Sequence, residues 1–188
     1  ITSSRFAGMH YKHIAALKYT VTPVNYEGEI TIRSEIDGNH INAGVERYRD
    51  LNQEHLAHLS EKIEGNRSYI KVQTNQSNVV IKLGARHIVN GSEELEDFMN
   101  CECSKGKACQ DFRVEARKGK EIVLEKLVSI YTSQDKKVTI PEKHSRMAID
   151  KMINYDRELE LSARAWKNIW DELDINVAGD RKAQKLIR

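Results

Sequence analysis

This sequence has little net charge, few cysteines and no apolar run long enough to span a membrane. Its 30 Lys and Arg residues face 28 Asp and Glu residues, which leaves a formal net charge of +2. Because nucleic acid attracts proteins with a basic surface field, we expect no nucleic-acid partner. No stretch reaches the roughly 18 apolar residues of a membrane span, and the first residues lack the features of a signal peptide. We therefore expect a cytoplasmic protein without a membrane partner.

Cysteine is limited to Cys101, Cys103 and Cys109. An odd and clustered set does not suit a disulfide framework, so it indicates a reducing compartment. Three thiolates suit zinc, and His87 could approach across a sheet as a fourth ligand. The spacing lacks the usual CxxC knuckle, so we favour a hairpin tip with incidental cysteines and predict no metal site and no bound cofactor.

Alternating apolar and polar residues predict strands in the first three quarters of the chain. The alternation covers residues 15–21, 30–36, 69–74, 79–89, 109–116 and 120–132. Turn signals between successive segments predict that they pair in order, as three antiparallel pairs. The last segment is apolar on both faces, which places it at the centre of a sheet. The fold class we predict is mainly β, an antiparallel β-sandwich.

Polar residues interrupt this alternation at residues 39–65, which predicts a long loop with a short helix around 53–61. His55 and His58 would share one face of that helix, and His10 and His13 fall on a strand-like segment. A catalytic or metal site also needs a carboxylate partner or further ligands at a defined spacing, and none is evident. We interpret all four as surface or core-edge histidines.

The period changes after Pro141. From Ser145 to about Asp174 apolar residues recur every three or four positions, which predicts helix. Asp156, a good N-cap, divides this stretch into two helices, and a third covers residues 181–188. We therefore expect a β-sandwich domain at residues 1–140 and C-terminal helices at 141–188.

Several residues in the predicted helices and turns are of types that could serve catalysis or ligand binding. Asp171, Glu172 and Asp174 point to different helix faces, so we expect solvated or capping roles in place of a carboxylate pair. Trp166 and Trp170 lie at i, i+4 and could stack on a sugar ring, but we favour packing against a sheet or a neighbouring domain. The basic residues Arg117, Lys118 and Lys120 fall in a predicted hairpin turn and are expected to be solvated.

Three groups of residues, in order along nearly the whole chain, resemble the disaccharide phosphorylases of glycoside hydrolase family 65. The first is Ser4-Arg5-Phe6 with residues 16–28 and 32–38, and the second is Leu124-Glu125-Lys126 with residues 131–135. The third comprises residues 165–171, Asp174-Ile175, Gly179-Asp180 and Gln184. The first two resemble the N-terminal β-sandwich of maltose, trehalose and kojibiose phosphorylases. The third resembles the linker helices that precede the (α/α)6 barrel of that family.

The resemblance implies a galactose-mutarotase-like super-sandwich whose first strands lie upstream of this chain. It also implies that the parent protein cleaves an α-glucosyl disaccharide, with inversion, to β-glucose 1-phosphate and a sugar. In such a reaction a carboxylic acid protonates the leaving oxygen while inorganic phosphate, the co-substrate, attacks from the opposite face. The family's acid, sugar-binding and phosphate-binding residues belong to the barrel, so no catalytic, cofactor-binding or metal residue is carried over to this chain.

The expected role is therefore structural, with the parent's own barrel as partner and residues 39–65 as a contact near its substrate entrance. Missing strands would leave open sheet edges, which favours a homo-oligomer. One alternative is an independent carbohydrate-binding module that uses Tyr48, Tyr69 or Trp166, and another is a domain of a family 65 hydrolase. A complete small enzyme is disfavoured because no nucleophile, base and orienter can be assembled.

Overall fold

The computed structural model describes residues 1–41, 44, 46–48, 50, 53–91, 98–175 and 177–187, with the side chains of 48, 98–102 and 187 left out. Nine strands are present in this part of the chain: β1 (Thr2–Ala7), β2 (Ile14–Val21), β3 (Gly28–Asp37), β4 (Leu56–Glu64), β5 (Arg67–Thr74), β6 (Val80–Val89), β7 (Phe98–Ser104), β8 (Lys107–Ala116) and β9 (Ile122–Thr132). The helices are α1 (Pro141–Lys151), α2 (Tyr155–Leu173) and α3 (Arg181–Ile187), with a short 3-10 helix at Glu46–Tyr48. None of these helices is long and apolar enough to cross a membrane.

The strands form two antiparallel sheets. One has six strands in the order β1-β2-β9-β6-β5-β4, and the other has three in the order β3-β8-β7. The predicted fold class, an antiparallel β-sandwich followed by helices, is confirmed. Strand β9 lies between β2 and β6, at the centre that its two apolar faces predict.

Two of the three predicted strand pairs are wrong. Strands β5 and β6 do pair across the turn at residues 75–78, but β3 pairs with β8, and β2 and β6 flank β9. The turns after β2 and β8 carry the chain from one sheet to the other, so residues 117–120 form a crossing turn and not a hairpin turn. These crossings lie side by side, since the N–H of Gly119 donates to the carbonyl of Pro23 at 2.8 Å.

The predicted helix at 53–61 and the later part of the predicted loop at 39–65 are also wrong, because β4 occupies residues 56–64 as an edge strand paired with β5. A register shift between His58 and Ser60 marks an irregularity in the pairing. Such a bulge inserts one residue and breaks the strict period of two. Leu56, Leu59 and Ile63 are consequently spaced three and four residues apart, which imitates one face of a helix.

The six-stranded sheet is covered on both faces, so the fold has three layers. Helices α1 and α2 cover one face, and the three-stranded sheet covers the other. The helix-side core contains Ile14, Ala16, Tyr69, Ile88, Leu127, Tyr131, Ala148, Ile149, Met152 and Tyr155. The inter-sheet core contains Ile36, Ile70, Ala85 and Ala108, with a second group formed by Val89, Phe112 and Leu124.

The N-cap of helix α2 lies two residues before the predicted cap, Asp156. This N-cap is Asn154, whose side-chain oxygen accepts a hydrogen bond from the N–H of Arg157 at 2.9 Å. The predicted cap, Asp156, lies in the first turn and accepts from the Lys18 ammonium at 2.9 Å. The backbone N–H of Tyr155 donates to the Glu125 carboxylate at 2.8 Å. These contacts fix the start of α2 on strands β2 and β9.

Candidate functional site

A cleft of about 510 Å³ opens between the two sheets beside β3. Its lining is mainly apolar, with a few polar side chains from β3 and β9, which is the usual character of a small-molecule site. The lining residues are Ile1, Leu17, Tyr19, Val21, Ile30, Thr31, Ile32, Arg33, Ser34, Glu35, Leu124 and Lys126.

The ionisable groups at this cleft are engaged in contacts that join the sheets. The ammonium of Lys126 donates to the backbone carbonyl of Glu35 at 2.7 Å, and burial lowers the pKa of Lys126 to about 8. The Glu35 carboxylate accepts from the thiol of Cys109 at 3.1 Å and from the ammonium of Lys107 at 3.4 Å. These two hydrogen bonds lower the pKa of Glu35. Lys126 therefore ties β9 to β3, and Glu35 ties β3 to β8.

His87 is fully buried next to the cleft. Its Nε2 lies 2.8 Å from the Ser34 hydroxyl, and its Nδ1 lies 3.1 Å from the carbonyl of Asn66. Because a carbonyl only accepts, Nδ1 carries the proton and Ser34 donates to Nε2. Burial is the main cause that lowers the pKa of His87 to about 3.

The Ser34–His87 pair has the spacing of a nucleophile and its base, but it lacks the matching chemistry. A general base works best with a pKa near the operating pH, and a carboxylate usually orients it. His87 has a pKa far below that range and is oriented by the Asn66 carbonyl. The pair therefore connects the two sheets structurally. Sequence reasoning missed it, because 53 residues separate the two partners.

The cysteines lie on both sides of the tip of the β7–β8 hairpin. Cys101 and Cys103 are on β7 and Cys109 is on β8, while Gly106 supplies the positive φ of 81° that the turn requires. Cys109 is buried against Glu35, Cys103 is exposed, and the side chain of Cys101 lies outside the described residues. Among the described side chains, no group of three or more His, Cys, Asp or Glu residues could hold a metal ion.

The structure gives three of these histidines carboxylate partners that the sequence did not reveal: Glu158 for His10, Asp135 for His13 and Glu61 for His58. His10 and His13 lie in the turn between β1 and β2, not on a strand, and His10 Nε2 is 3.0 Å from the Glu158 carboxylate. His58 lies on β4, not on a helix, and bonds Glu61. The ring of His13 stacks on Tyr131 at a centroid distance of 4.2 Å. The His10 contact fastens the turn to α2.

The acidic residues at the end of α2 are exposed, as a solvated role requires. Asp171 pairs with Lys167 at 2.6 Å, one helical turn before it. The N–H of Asp174 closes the helix by donating to the carbonyl of Trp170 at 2.8 Å. These residues do not converge on a common point.

The second half of α2 presents two tryptophans beside strand β1. The rings of Trp166 and Trp170 stack at a centroid distance of 6.4 Å, and each residue is 45% exposed. They line a groove of about 770 Å³ together with Phe6, Ala7, Leu159, Ser162, Ala163 and Lys167. Of the other aromatic residues considered for sugar binding, Tyr69 is only 5% exposed and unavailable, and the Tyr48 side chain lies outside the described residues.

Comparison with known proteins identifies the family. The family model of the glycosyl hydrolase family 65 N-terminal domain matches residues 1–169. Alpha,alpha-trehalose phosphorylase of Thermoanaerobacter brockii is 28% identical over 193 residues, which are 98% of this chain and 24% of that protein. Kojibiose phosphorylase of the same organism is 26% identical over 205 residues, covering 100% of this chain and 25% of that protein. An "Uncharacterized glycosyl hydrolase" of Mycobacterium tuberculosis is 25% identical over 189 residues, which cover 100% of this chain and 14% of that protein.

A solved structure described as "Putative kojibiose phosphorylase from human microbiome" shares the fold, with a TM-score of 0.73 and 12% identity over 89% of this chain and 21% of that chain. The chain spans about a quarter or less of the curated relatives that it matches. The resemblance inferred from the sequence is confirmed. The chain belongs to glycosyl hydrolase family 65, of which it is an N-terminal domain.

Proposed function

We propose that the chain is the non-catalytic N-terminal domain of an inverting disaccharide phosphorylase of the cytoplasm. In this proposal the parent converts an α-glucosyl disaccharide and inorganic phosphate to β-glucose 1-phosphate and a sugar, and a barrel domain supplies the acid. The phosphorylase names of relatives that match the chain over nearly its full length support this reaction. The engagement of His87, Lys126 and Glu35 in contacts between the sheets supports a structural role for the chain itself.

The exposed tryptophan face of α2 is the observation that carries the interdomain role. The first half of the helix is fastened to the sandwich by Lys18, Glu125 and His10, whereas Trp166 and Trp170 stay 45% exposed beyond these contacts. Large aromatic side chains release the most free energy when they are covered. We propose that the barrel of the parent covers this face.

The outer edge of β1 supports the proposed homo-oligomer. β1 pairs only with β2 in the described structure, and five of its six residues are exposed. An edge strand with unpaired N–H and C=O groups tends to pair with another strand. In this proposal either another copy of the chain or further sandwich strands of the parent cover the edge.

A second candidate function, an independent carbohydrate-binding module, is favoured by the same stacked tryptophans and the groove beside them. Sugars bind proteins by stacking on exposed aromatic rings, so Trp166 would be the main contact. The two proposals differ in what the isolated chain binds. The domain proposal expects no saturable binding of maltose, trehalose or kojibiose.

Turnover and binding assays test both proposals. The 188-residue chain and the full-length parent are incubated with each disaccharide, with and without phosphate, and β-glucose 1-phosphate is measured. We expect phosphate-dependent turnover by the parent and none by the chain, because the proposal places the catalytic acid in the barrel, while His87, Lys126 and Glu35 of the chain are engaged between the sheets. Turnover by the chain alone would contradict the proposal, and phosphate-independent release of glucose by the parent would indicate a hydrolase. Saturable sugar binding that Trp166→Ala abolishes and Tyr26→Ala preserves would favour the module.

A further inference from the structure

A small pocket of about 190 Å³ lies between α1 and the helix-facing side of β4, β5 and β6. It is separate from the inter-sheet cleft, because its side chains project from the opposite face of the six-stranded sheet. The lining residues are Lys62, Glu64, Tyr69, Lys82, Glu142 and Arg146. Most of them are charged, unlike the apolar core that surrounds the pocket.

Two buried donors form the floor of this pocket. Tyr69 is 5% exposed and Lys82 is 7% exposed, and the Lys82 ammonium lies 5.4 Å from the centre of the Tyr69 ring. Among the described residues, the Tyr69 hydroxyl has no hydrogen-bond partner and no carboxylate forms an ion pair with Lys82. A buried donor without an acceptor costs free energy, so the Tyr69 hydroxyl favours a ligand that accepts hydrogen bonds, and the unpaired charge of Lys82 favours an anion.

Positive side chains outnumber negative ones around the floor of the pocket. Glu64 is shared by Lys62 and Arg146, and Glu142 pairs with Lys71. Four cationic groups, including Lys82, therefore face two carboxylates, which leaves two positive charges uncompensated. Burial lowers the pKa of Lys82, and the nearby charges of Lys71 and Lys62 lower it further against the pull of Glu142. Burial raises the pKa of Tyr69, so its hydroxyl remains a donor.

We propose that this pocket binds a small doubly charged oxyanion of the size of inorganic phosphate or sulfate. Lys82 and Tyr69 would donate to it from the floor, and Arg146 would donate from the rim, as charge-assisted hydrogen bonds. The pocket volume of about 190 Å³ equals that of roughly six water molecules at about 30 Å³ each, which is enough space for such an ion. Glu142 lies in the first turn of α1 and lines the pocket, so the N-terminus of α1 is at the pocket rim. The positive end of the helix dipole at this N-terminus also favours an anion.

The bound anion would connect α1 to strands β4, β5 and β6. This proposal does not depend on the proposed phosphorylase function, because it concerns only the 188-residue chain. Binding should raise the melting temperature, since a ligand that binds only the folded state stabilises it in proportion to its concentration. It should also oppose the lowering of the Lys82 pKa, because it brings negative charge to that ammonium.

Isothermal titration of the chain with phosphate and with sulfate, against a chloride background of matched ionic strength, tests the site. We expect saturable binding of both oxyanions and a loss of affinity of about tenfold or more in Tyr69→Phe, which removes one donor and keeps the ring. Lys82→Met should abolish binding. Lys126→Met is the matched control, because it removes a partly buried lysine from the other face of the same sheet, and it should bind as the unmodified chain does.

Three results would overturn the proposal. They are the absence of saturable binding, a response that chloride reproduces at equal ionic strength, and affinities in Tyr69→Phe and Lys82→Met equal to that of Lys126→Met. If Lys82→Met does not fold, Tyr69→Phe decides the outcome, because the substitution preserves the packing of the ring. Thermal melts of each variant with and without phosphate provide the second measurement.

Discussion

Acidification from pH 7 to about pH 4 is expected to destabilise the chain by roughly 3 kcal/mol through His87 alone. The pKa of His87 is about 3 in the folded chain, against an ordinary value of 6.5. Between these two values the unfolded chain binds a proton at this position and the folded chain does not. The contribution to stability is therefore complete above pH 6.5 and is lost as the pH falls toward 3.

The structural reason is that a charged His87 would lose its hydration in a buried site where none of the described residues offers it a carboxylate partner, with the Lys126 ammonium nearby. In the neutral form Nδ1–H donates to Asn66 and Nε2 accepts from Ser34, and these contacts satisfy the ring without a charge. Urea unfolding at a series of pH values measures the effect. His87→Gln should flatten the fall in stability between pH 6.5 and 4, whatever its effect on absolute stability. His55→Gln, at an exposed position, is the control, and an unchanged slope in His87→Gln would contradict the account.

Leu127→Ala is expected to lower the free energy of unfolding by between about 2 and 5 kcal/mol. Leu127 is completely buried on the central strand β9, in the core that joins the sheet to α1 and α2. Truncation removes packed methyl groups and leaves a cavity between two layers that are both held by other contacts, so the site cannot collapse.

Ile130→Ala is the matched control for this prediction. It lies on the same strand but is 41% exposed, so its loss should be under about 1 kcal/mol. Denaturant unfolding followed by circular dichroism measures both variants. Equal losses in the two variants would show that the helices do not form a packed layer on the sheet.

The sequence predicts the class of fold because alternation reports which side chains are buried in a strand. It does not report which strand is the neighbour, since a chain that leaves β2 or β8 is free to enter either sheet. The crossing turns after these strands are therefore indistinguishable from hairpin turns at the level of residue types. Strand β4 was missed for a related reason: an edge strand with a bulge carries few apolar residues, at irregular spacing.

The candidate sites depend on contacts between residues far apart in the chain. His10 and Glu158 are 148 residues apart, and no spacing rule connects them. The proposed oxyanion pocket likewise combines three strands with α1, and its defining property is that, among the described residues, the Tyr69 hydroxyl has no hydrogen-bond partner and Lys82 has no carboxylate in an ion pair. A sequence shows which groups are present, whereas the absence of a partner exists only in three dimensions. The tryptophan face was predictable, since a spacing of four residues already places both rings on one side of a helix.

Hydrogen exchange along α2, in the isolated chain and in the full-length parent, tests the central claim most directly. We expect the amides of residues 163–173 to exchange at least about tenfold more slowly in the parent, which corresponds to about 1.4 kcal/mol of added protection from a covering domain. Amides around Ile149, which is completely buried in the isolated chain, serve as the internal reference. Slower exchange in α2 relative to this reference is the predicted result. Identical exchange of residues 163–173 in both proteins would contradict the docking of a partner domain on Trp166 and Trp170.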